Sequence, residues 1–132
     1  MESLKDKITK EMVVDYKIVL EKDFDIVKNI IRIMPNGKVD ILSRDKLTGK
    51  DQILLYLIGK LYSKEGGYSE TENVTNKELM EELRIPRGSI LPWVKDLRDA
   101  NKIIQVDPST HTIPLNLVDD ILKKIAEKVG VK

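Results

Sequence analysis

The stretch of sequence that decides the fold is residues 74–106, which read VTNKELMEELRIPRGSILPWVKDLRDANKIIQV. Thr75, followed three residues later by Glu78, is the capping-box pattern that marks the start of a helix. Behind this cap the apolar residues recur at helical spacing, namely Leu79, Met80 and Leu83. The pattern predicts a helix that begins at Asn76.

A tight turn and a second helix are expected next. Residues 84–88 contain a proline and a glycine, which favour a turn. We place the helix at Ser89–Asn101 with Ser89 as its N-cap, because Pro92 then lies at the third helical position, where an N–H has no intrahelical partner. A helix that began at Pro86 would put Pro92 in its second turn, against the carbonyl group four residues earlier.

This second helix separates its side chains by chemistry when they are plotted at 100° per residue. Its core side carries Ile90, Val94 and Leu97, with Trp93 on the flank, whereas Asp96 and Asp99 lie apart from the basic side chains. Cations on one strip reach phosphates and guanine edges, and a short apolar side chain can touch a thymine methyl group. The candidate contacts are Arg87, Ser89, Leu91, Lys95, Arg98 and Lys102.

Two short extended segments, Ile103–Val106 and Thr110–Ile113, are predicted around the turn at residues 107–109. Three polar side chains near this turn are further candidates for phosphate contacts: Ser109, Thr110 and His111. We expect His111 to be an ordinary exposed residue. The turn carries no lysine or arginine, which weakens the case for contacts here.

The order of helix, helix, short turn, helix and two-stranded ribbon is typical of a winged helix-turn-helix. Residues 74–106 resemble that segment of archaeal and bacterial transcription regulators, and the resemblance covers the chain from Thr48 onward. It departs at Asn101, where the family usually has a glycine, although asparagine also tolerates the left-handed conformation. The resemblance implies a mainly α fold with a small β component (α+β) and binding to double-stranded DNA.

The remaining elements suggest two segments, an N-terminal extension over residues 1–47 and the winged helix-turn-helix with a C-terminal helix over residues 48–132. The extension is expected to hold a short helix and a β-hairpin, because Asn36-Gly37 lies between two β-branched runs and both residues tolerate a positive φ.

Two apolar surfaces predict a homodimer. A helix over Gln52–Glu65, capped by Thr48, is apolar nearly all round, so it needs cover from the core on one side and from the hairpin or a second subunit on the other. The last helix, expected to begin with Asn116 as its cap, has one apolar side. Paired regulators of this kind read two half-sites.

Charge leaves more than one function open. The net charge is +1, and residues 49–132 hold 13 basic and 13 acidic residues, so DNA binding depends on the segregated basic strip. A lysine and arginine strip is also typical of a solvated helix face. We predict a sequence-specific or general DNA-binding protein that regulates transcription; the alternative is a protein–protein adaptor within a larger assembly. RNA binding has less support, because no basic patch is interleaved with aromatic residues.

Other classes of protein fit the composition poorly. The chain has no cysteine and one histidine, and it lacks phosphate-loop and nucleophile-elbow motifs, so we expect no enzyme, no cofactor and no metal site. No apolar run approaches the ~20 residues of a membrane span, and no leader is evident at the N-terminus, so we expect a cytoplasmic protein without membrane contact. Abundant isoleucine and lysine with only two glutamines are typical of a thermophile.

Overall fold

The computed structural model describes residues 2–13 and 16–130, except for the side chain of Tyr16. Helices, with one short 3-10 turn, account for 59% of the described residues and strands for 12%, so the fold is mainly helical with small antiparallel sheets, as expected. The helices are α1 (Leu4–Glu11), α2 (Tyr16–Lys22), α3 (Phe24–Val27), α4 (Gly49–Glu65), α5 (Asn76–Leu83), α6 (Arg87–Asp99) and α7 (Leu115–Val129). The strands are β1 (Ile31–Ile33), β2 (Val39–Ile41), β3 (Val74–Thr75), β4 (Ile104–Asp107) and β5 (Thr110–Thr112), and a short 3-10 turn spans Arg44–Lys46.

The predicted hairpin is present, although its turn differs from the one expected. β1 and β2 pair antiparallel with Ile31 opposite Ile41 and Arg32 opposite Asp40. In the turn only Gly37 has a positive φ (86°), because the Asn36 side chain instead accepts a hydrogen bond from the backbone N–H of Lys38 at 3.0 Å. The turn is thus held by an asparagine side chain and one left-handed glycine.

The hairpin covers one side of α4 and is the second apolar surface against which this helix was expected to pack. Both strands pack on α4, and one continuous hydrophobic core includes residues from the hairpin and from α4–α7. A Cβ atom added at Gly59 would lie 2.5 Å from a methyl group of Val39, so the strand packs directly on the helix backbone. The buried Ser63 hydroxyl also donates to the carbonyl of Gly37 at 2.7 Å.

Of the four predicted helix caps, Thr48 and Thr75 are N-caps as expected, whereas Ser89 and Asn116 are not. The Thr48 cap is complete, since its hydroxyl and the Asp51 carboxylate each accept from the other residue's backbone N–H at 3.1 Å. Thr75 accepts from the N–H of Glu78, but the Glu78 carboxylate turns away to other partners. α7 begins at Leu115 after Pro114, so Asn116 lies inside the first turn and is not the cap.

The second, three-stranded sheet has the order β3-β5-β4, with both pairs antiparallel. β3 immediately precedes α5, and β5 returns from the turn at residues 107–109 to pair with it. The sheet therefore ties the start of α5 to the strands that follow α6.

α7 closes the core on the side of the N-terminal helices. Its buried side chains, Val118, Leu122, Ile125, Ala126 and Val129, belong to the common core, and the helix packs on α2, α3 and α4. Among the described residues, no helix is both long and apolar enough to span a bilayer.

Candidate nucleic-acid interface

Helix α6 begins three residues earlier than predicted, since its N-cap is Pro86 and not Ser89. Pro86 is its N-cap and accepts hydrogen bonds from the N–H groups of Ser89 and Ile90, each at 3.0 Å. Pro92 therefore lies at the sixth helical position and cannot donate to the carbonyl of Gly88. Both Pro92 and Gly88 are exposed, so water can form a hydrogen bond with the Gly88 carbonyl. Since Pro86 is the N-cap, the expectation that Ser89 caps the helix is wrong.

The core side of α6 matches the predicted helical wheel. Ile90, Val94 and Leu97 are buried, and Trp93 is half-buried against the core. The Trp93 ring lies on Gly49 at the start of α4, where an added Cβ would come within 2.1 Å of it. Trp93 is accordingly a packing residue that fixes α6 on α4.

The earlier start of α6 places Arg87 on the same strip as the other candidate contacts. At 100° per residue, positions 87, 91, 95 and 98 fall within about 80° of one another. Arg87 and Lys95 are exposed, whereas Arg98 and Leu91 are half-buried, and Leu91 packs partly against the core. Ser89 lies off this strip, and Lys102 follows the helix end, exposed, behind Asn101 with its left-handed φ of 59°.

The cations of this region are free of internal partners. The segment 84–102 contains five basic side chains, and none of them forms an ion pair or side-chain hydrogen bond with the residues that the structure describes: Arg84, Arg87, Lys95, Arg98 and Lys102. Of the two acidic residues in the segment, Asp96 is paired with Lys50 at 3.0 Å. The segment thus presents uncompensated positive charge although the chain as a whole is nearly neutral.

Arg84 is a residue that the sequence reasoning missed. It closes α5 in the left-handed conformation (φ 56°) and its side chain is exposed in the turn before α6. Its position in the sequence, in the turn between the two predicted helices, could have indicated that it lies beside the candidate DNA contacts.

The turn between α5 and α6 is held from the N-terminal extension. Arg44 donates through Nη2 to the carbonyl of Leu83, the last residue of α5, and through Nε to Gln52 at 3.0 Å. Lys38 of the hairpin pairs with Glu82 of α5 at 3.4 Å. The extension therefore orients the helix pair that carries the basic strip.

A buried polar network fixes α5 on α4. The Tyr56 hydroxyl donates to Glu78 Oε2 at 2.5 Å, and Lys60 Nζ lies 3.2 Å from the same oxygen. The Lys60 side chain is only 7% exposed. Burial first, and then the adjacent Glu78 carboxylate, raise the pKa of Tyr56, so its hydroxyl remains a donor throughout the physiological range.

His111 is buried, and the expectation that it is exposed is wrong. It is 1% exposed, because β5 is the central strand of its sheet and turns this side chain inward against α5. Its Nε2 lies 2.8 Å from Asn76 Oδ1, and its buried Nδ1 has no partner among the described residues. Burial, followed by the nearby Arg98 charge, lowers the pKa of His111. A phosphate contact from this ring is therefore excluded in this conformation.

The two other predicted phosphate contacts at this turn, Ser109 and Thr110, are more exposed than His111. Ser109 is exposed, but its hydroxyl lies 3.3 Å from Asp107, and its carbonyl accepts from the N–H of Asn76. Thr110 is half-buried. The backbone N–H of Ser109, with the Thr110 hydroxyl next, holds the pKa of Asp107 below its usual range, so this end of the sheet is anionic.

Comparison of the chain with family models, with curated proteins and with solved structures found no match in any of the three. Within residues 2–13 and 16–130 no group of three or more histidine or acidic side chains is arranged to hold a metal ion. The functional argument therefore depends on the geometry and charge of the described residues.

Proposed function

We propose that residues 48–132 form a winged helix-turn-helix that binds double-stranded DNA through α6. The order α4-β3-α5-α6-β4-β5 and the sheet order β3-β5-β4 support this class, because it combines two helices joined by a tight turn with a two-stranded wing. The observation that carries the proposal is the set of five unpartnered cations at residues 84–102. Lysine and arginine side chains without internal partners are available to phosphate oxygens.

Within this class, a transcription regulator is the role we propose, on the resemblance of residues 74–106 to the corresponding segment of such proteins. Arg87, Lys95 and Arg98 lie on one strip that supplies phosphate and base-edge contacts, with Arg84 and Lys102 at its ends. The wing contributes little, since its end carries Asp107 and its histidine is buried.

A salt titration of duplex binding tests the proposal. Binding of a labelled mixed-sequence duplex is measured by fluorescence anisotropy for the natural chain and for Lys95→Ala/Arg98→Ala. If all five cations contact phosphates, the slope of log K against log salt is about −4 to −5. The double variant should weaken binding at low salt and reduce that slope by about 2.

The matched control replaces two exposed lysines of the N-terminal extension, Lys5→Ala/Lys28→Ala, which alters the net charge by the same amount. Affinity equal to that of the natural chain is expected for this control. Equal losses in both double variants would show that net charge, and not α6, determines binding. Unchanged affinity in Lys95→Ala/Arg98→Ala, with an unchanged thermal melt, contradicts the assignment of the recognition helix.

A protein–protein adaptor is the second candidate, and the wing favours it. Ile104 and Val106 are about half exposed on β4, which is an edge strand of its sheet. Such an edge offers unpaired backbone groups and apolar side chains to another protein. The adaptor predicts no salt-dependent duplex affinity at all, so the same titration separates the two functions.

The two apolar surfaces that predicted a homodimer are covered within the chain. The hairpin lies on α4, and the apolar side of α7 packs on α2, α3 and α4. A dimer that reads two half-sites therefore needs a different surface.

A further inference from the structure

A cleft of about 580 Å³ lies between α1, α2 and the start of α7. Two acidic side chains line it, namely Asp23, which directly precedes α3, and Asp119, on the second turn of α7. Asp23 is only 2% exposed. Clefts of this size are typical of small-molecule sites. None of the candidate DNA contacts lines this cleft, so it is a separate surface.

The two carboxyl groups of the cleft lack an N–H donor at their buried oxygens. Among the described residues, no backbone or side-chain donor reaches Asp23 Oδ2 or Asp119 Oδ1, and both atoms are buried. The two side chains hydrogen-bond to each other, which requires a shared proton. Lys22 and Lys123 lie 3.6 and 3.0 Å from the other oxygen of Asp119, Oδ2. Neither lysine therefore neutralises the contact between the two acids.

The shared proton is lost near neutral pH. Burial, then the hydrogen bond and negative charge of Asp119, raise the pKa of Asp23 to about 6. Above that pH both carboxylates are ionised, and two like charges in contact repel each other. A positively charged N–H donor in the cleft takes the place of the proton and relieves this repulsion. The pair is therefore suited to a small cation.

An ammonium group fits this pair better than a metal ion does. Hard metal ions such as calcium take about six or more oxygen ligands. In the part of the chain that the structure describes, no group of three or more histidine or acidic side chains is arranged to hold one. An ammonium group instead carries several N–H donors and can donate to both carboxylates at once.

The rest of the cleft has a basic part and an apolar part. Lys5 of α1 lines it and has no ion-pair or hydrogen-bond partner among the described residues, whereas Lys10 is paired with Glu2 at 3.0 Å. Val13 and Ile18, which also line the cleft, are 54% and 65% exposed. A lysine without an internal partner is available to a carboxylate, and the apolar side chains are available to an aliphatic group.

We propose that this cleft binds a small α-amino acid with an aliphatic side chain. Its ammonium group donates to Asp23 and Asp119, its carboxylate pairs with Lys5, and its side chain lies against Val13 and Ile18. The three parts of such a ligand match the acidic, basic and apolar parts of the cleft. Because no residue of α1 is itself buried, the ligand also fastens this helix to the body of the protein.

This site is independent of the proposed DNA binding. The duplex titrations contain no amino acid, so Lys5 can serve there as a control. Amino-acid binding without duplex affinity would overturn the proposed function alone. Duplex affinity without amino-acid binding would overturn the present proposal alone.

Nitrogen-15 NMR titrations of the natural chain at neutral pH test the ligand class. The probe is L-leucine, compared with isoamylamine, which lacks the carboxylate, and isocaproate, which lacks the ammonium group. Amide shifts should concentrate on α1, the end of α2 and the start of α7, and isocaproate should bind at least about tenfold more weakly than L-leucine. Isoamylamine should bind about two- to fivefold more weakly, because it loses only the exposed lysine contact. No binding at ~10 mM L-leucine, or equal affinity for either analogue, overturns the proposal.

Two variants, each with a matched control, assign the contacts. Asp23→Asn should weaken L-leucine binding at least about tenfold, whereas Asp25→Asn removes an exposed carboxylate outside the cleft and should not change it. Lys5→Gln should weaken binding of L-leucine about two- to fivefold but leave isoamylamine unaffected, and Lys7→Gln is its control. Circular dichroism checks the fold of each variant. Equal affinities of Asp23→Asn and Asp25→Asn, or equal losses for both ligands in Lys5→Gln, contradict the proposed site.

Discussion

The network of Tyr56, Lys60 and Glu78 gives the sharpest stability prediction. Glu78→Gln keeps the shape of the side chain but leaves the Lys60 ammonium, 7% exposed, without its counter-charge. Removing one partner of a buried ion pair typically costs about 3–5 kcal/mol. Because the amide oxygen still accepts a hydrogen bond, we expect a value near the lower end, about 3 kcal/mol.

Removal of the other partner, Lys60, is expected to lower the free energy of unfolding by less. Lys60→Met removes the buried cation and replaces it with an apolar side chain of similar length, while Glu78 keeps its 2.5 Å hydrogen bond from Tyr56 and is itself 20% exposed. We expect a loss of about 1–2 kcal/mol. In Lys60→Met/Glu78→Gln no unpaired charge remains, so the double variant should be more stable than Glu78→Gln alone by about 1 kcal/mol or more.

Urea denaturation followed by circular dichroism measures all three variants, with Lys77→Met as the control because its ion pair with Glu81 is fully on the surface. The control should change the free energy of unfolding by less than about 0.5 kcal/mol. Additive losses in Lys60→Met/Glu78→Gln, or a loss below about 1 kcal/mol in Glu78→Gln, would refute the reasoning that the buried charge needs its partner.

Three further predictions concern pH and packing. Because burial, then Arg98, lowers the pKa of His111 in the folded chain, protonation favours the unfolded state. The contribution of the neutral His111 ring to the free energy of unfolding should be complete above about pH 6.5 and should fall as the pH drops below that value. In urea titrations at a series of pH values, His111→Gln should remove this decline. Burial, with the hydrogen bond and negative charge of Asp119, raises the pKa of Asp23 to about 6. The pH dependence is therefore the reverse of that for His111: the contribution of protonated Asp23 to the free energy of unfolding is complete below about pH 4 and is lost as the pH rises through 6. Asp23→Asn should therefore be more stable than the natural chain at pH 8, and equal stability there contradicts the assignment. Gly49→Ala should displace the Trp93 ring, cost about 1–3 kcal/mol and red-shift the emission of this single tryptophan, whereas an unchanged spectrum and stability would show that the contact is not tight.

Local signals in the sequence predicted several elements well. The Thr48 cap, the start of α5 at Asn76 and the hairpin around Gly37 each depend on side chains within a few residues, so the pattern contains the needed information. The left-handed φ of Asn101 is likewise a property that asparagine tolerates locally. The all-round apolar character of α4 also correctly indicated two covering surfaces.

Features set by distant residues were missed or misplaced. His111 looked exposed because it follows a polar turn, but its burial depends on β3, a two-residue strand with no periodicity of its own. The Glu78 carboxylate does not complete the predicted capping box and instead contacts Tyr56 and Lys60 on α4. Helix α6 begins at Arg87, ahead of Ser89, although Pro92 then cannot donate to the carbonyl of Gly88. The candidate site changed accordingly, since the helix start brought Arg87 onto the strip.

The most direct test of the central claim is a nitrogen-15 NMR titration of the chain with a mixed-sequence DNA duplex at low salt. If α6 binds DNA, amide shifts should concentrate on residues 84–102, where the five unpartnered cations lie, and should be small at β4 and α1. Loss of those shifts on raising the salt from about 50 to 200 mM would identify phosphate contacts. No shift at residues 84–102, or shifts confined to β4, would contradict DNA binding through α6.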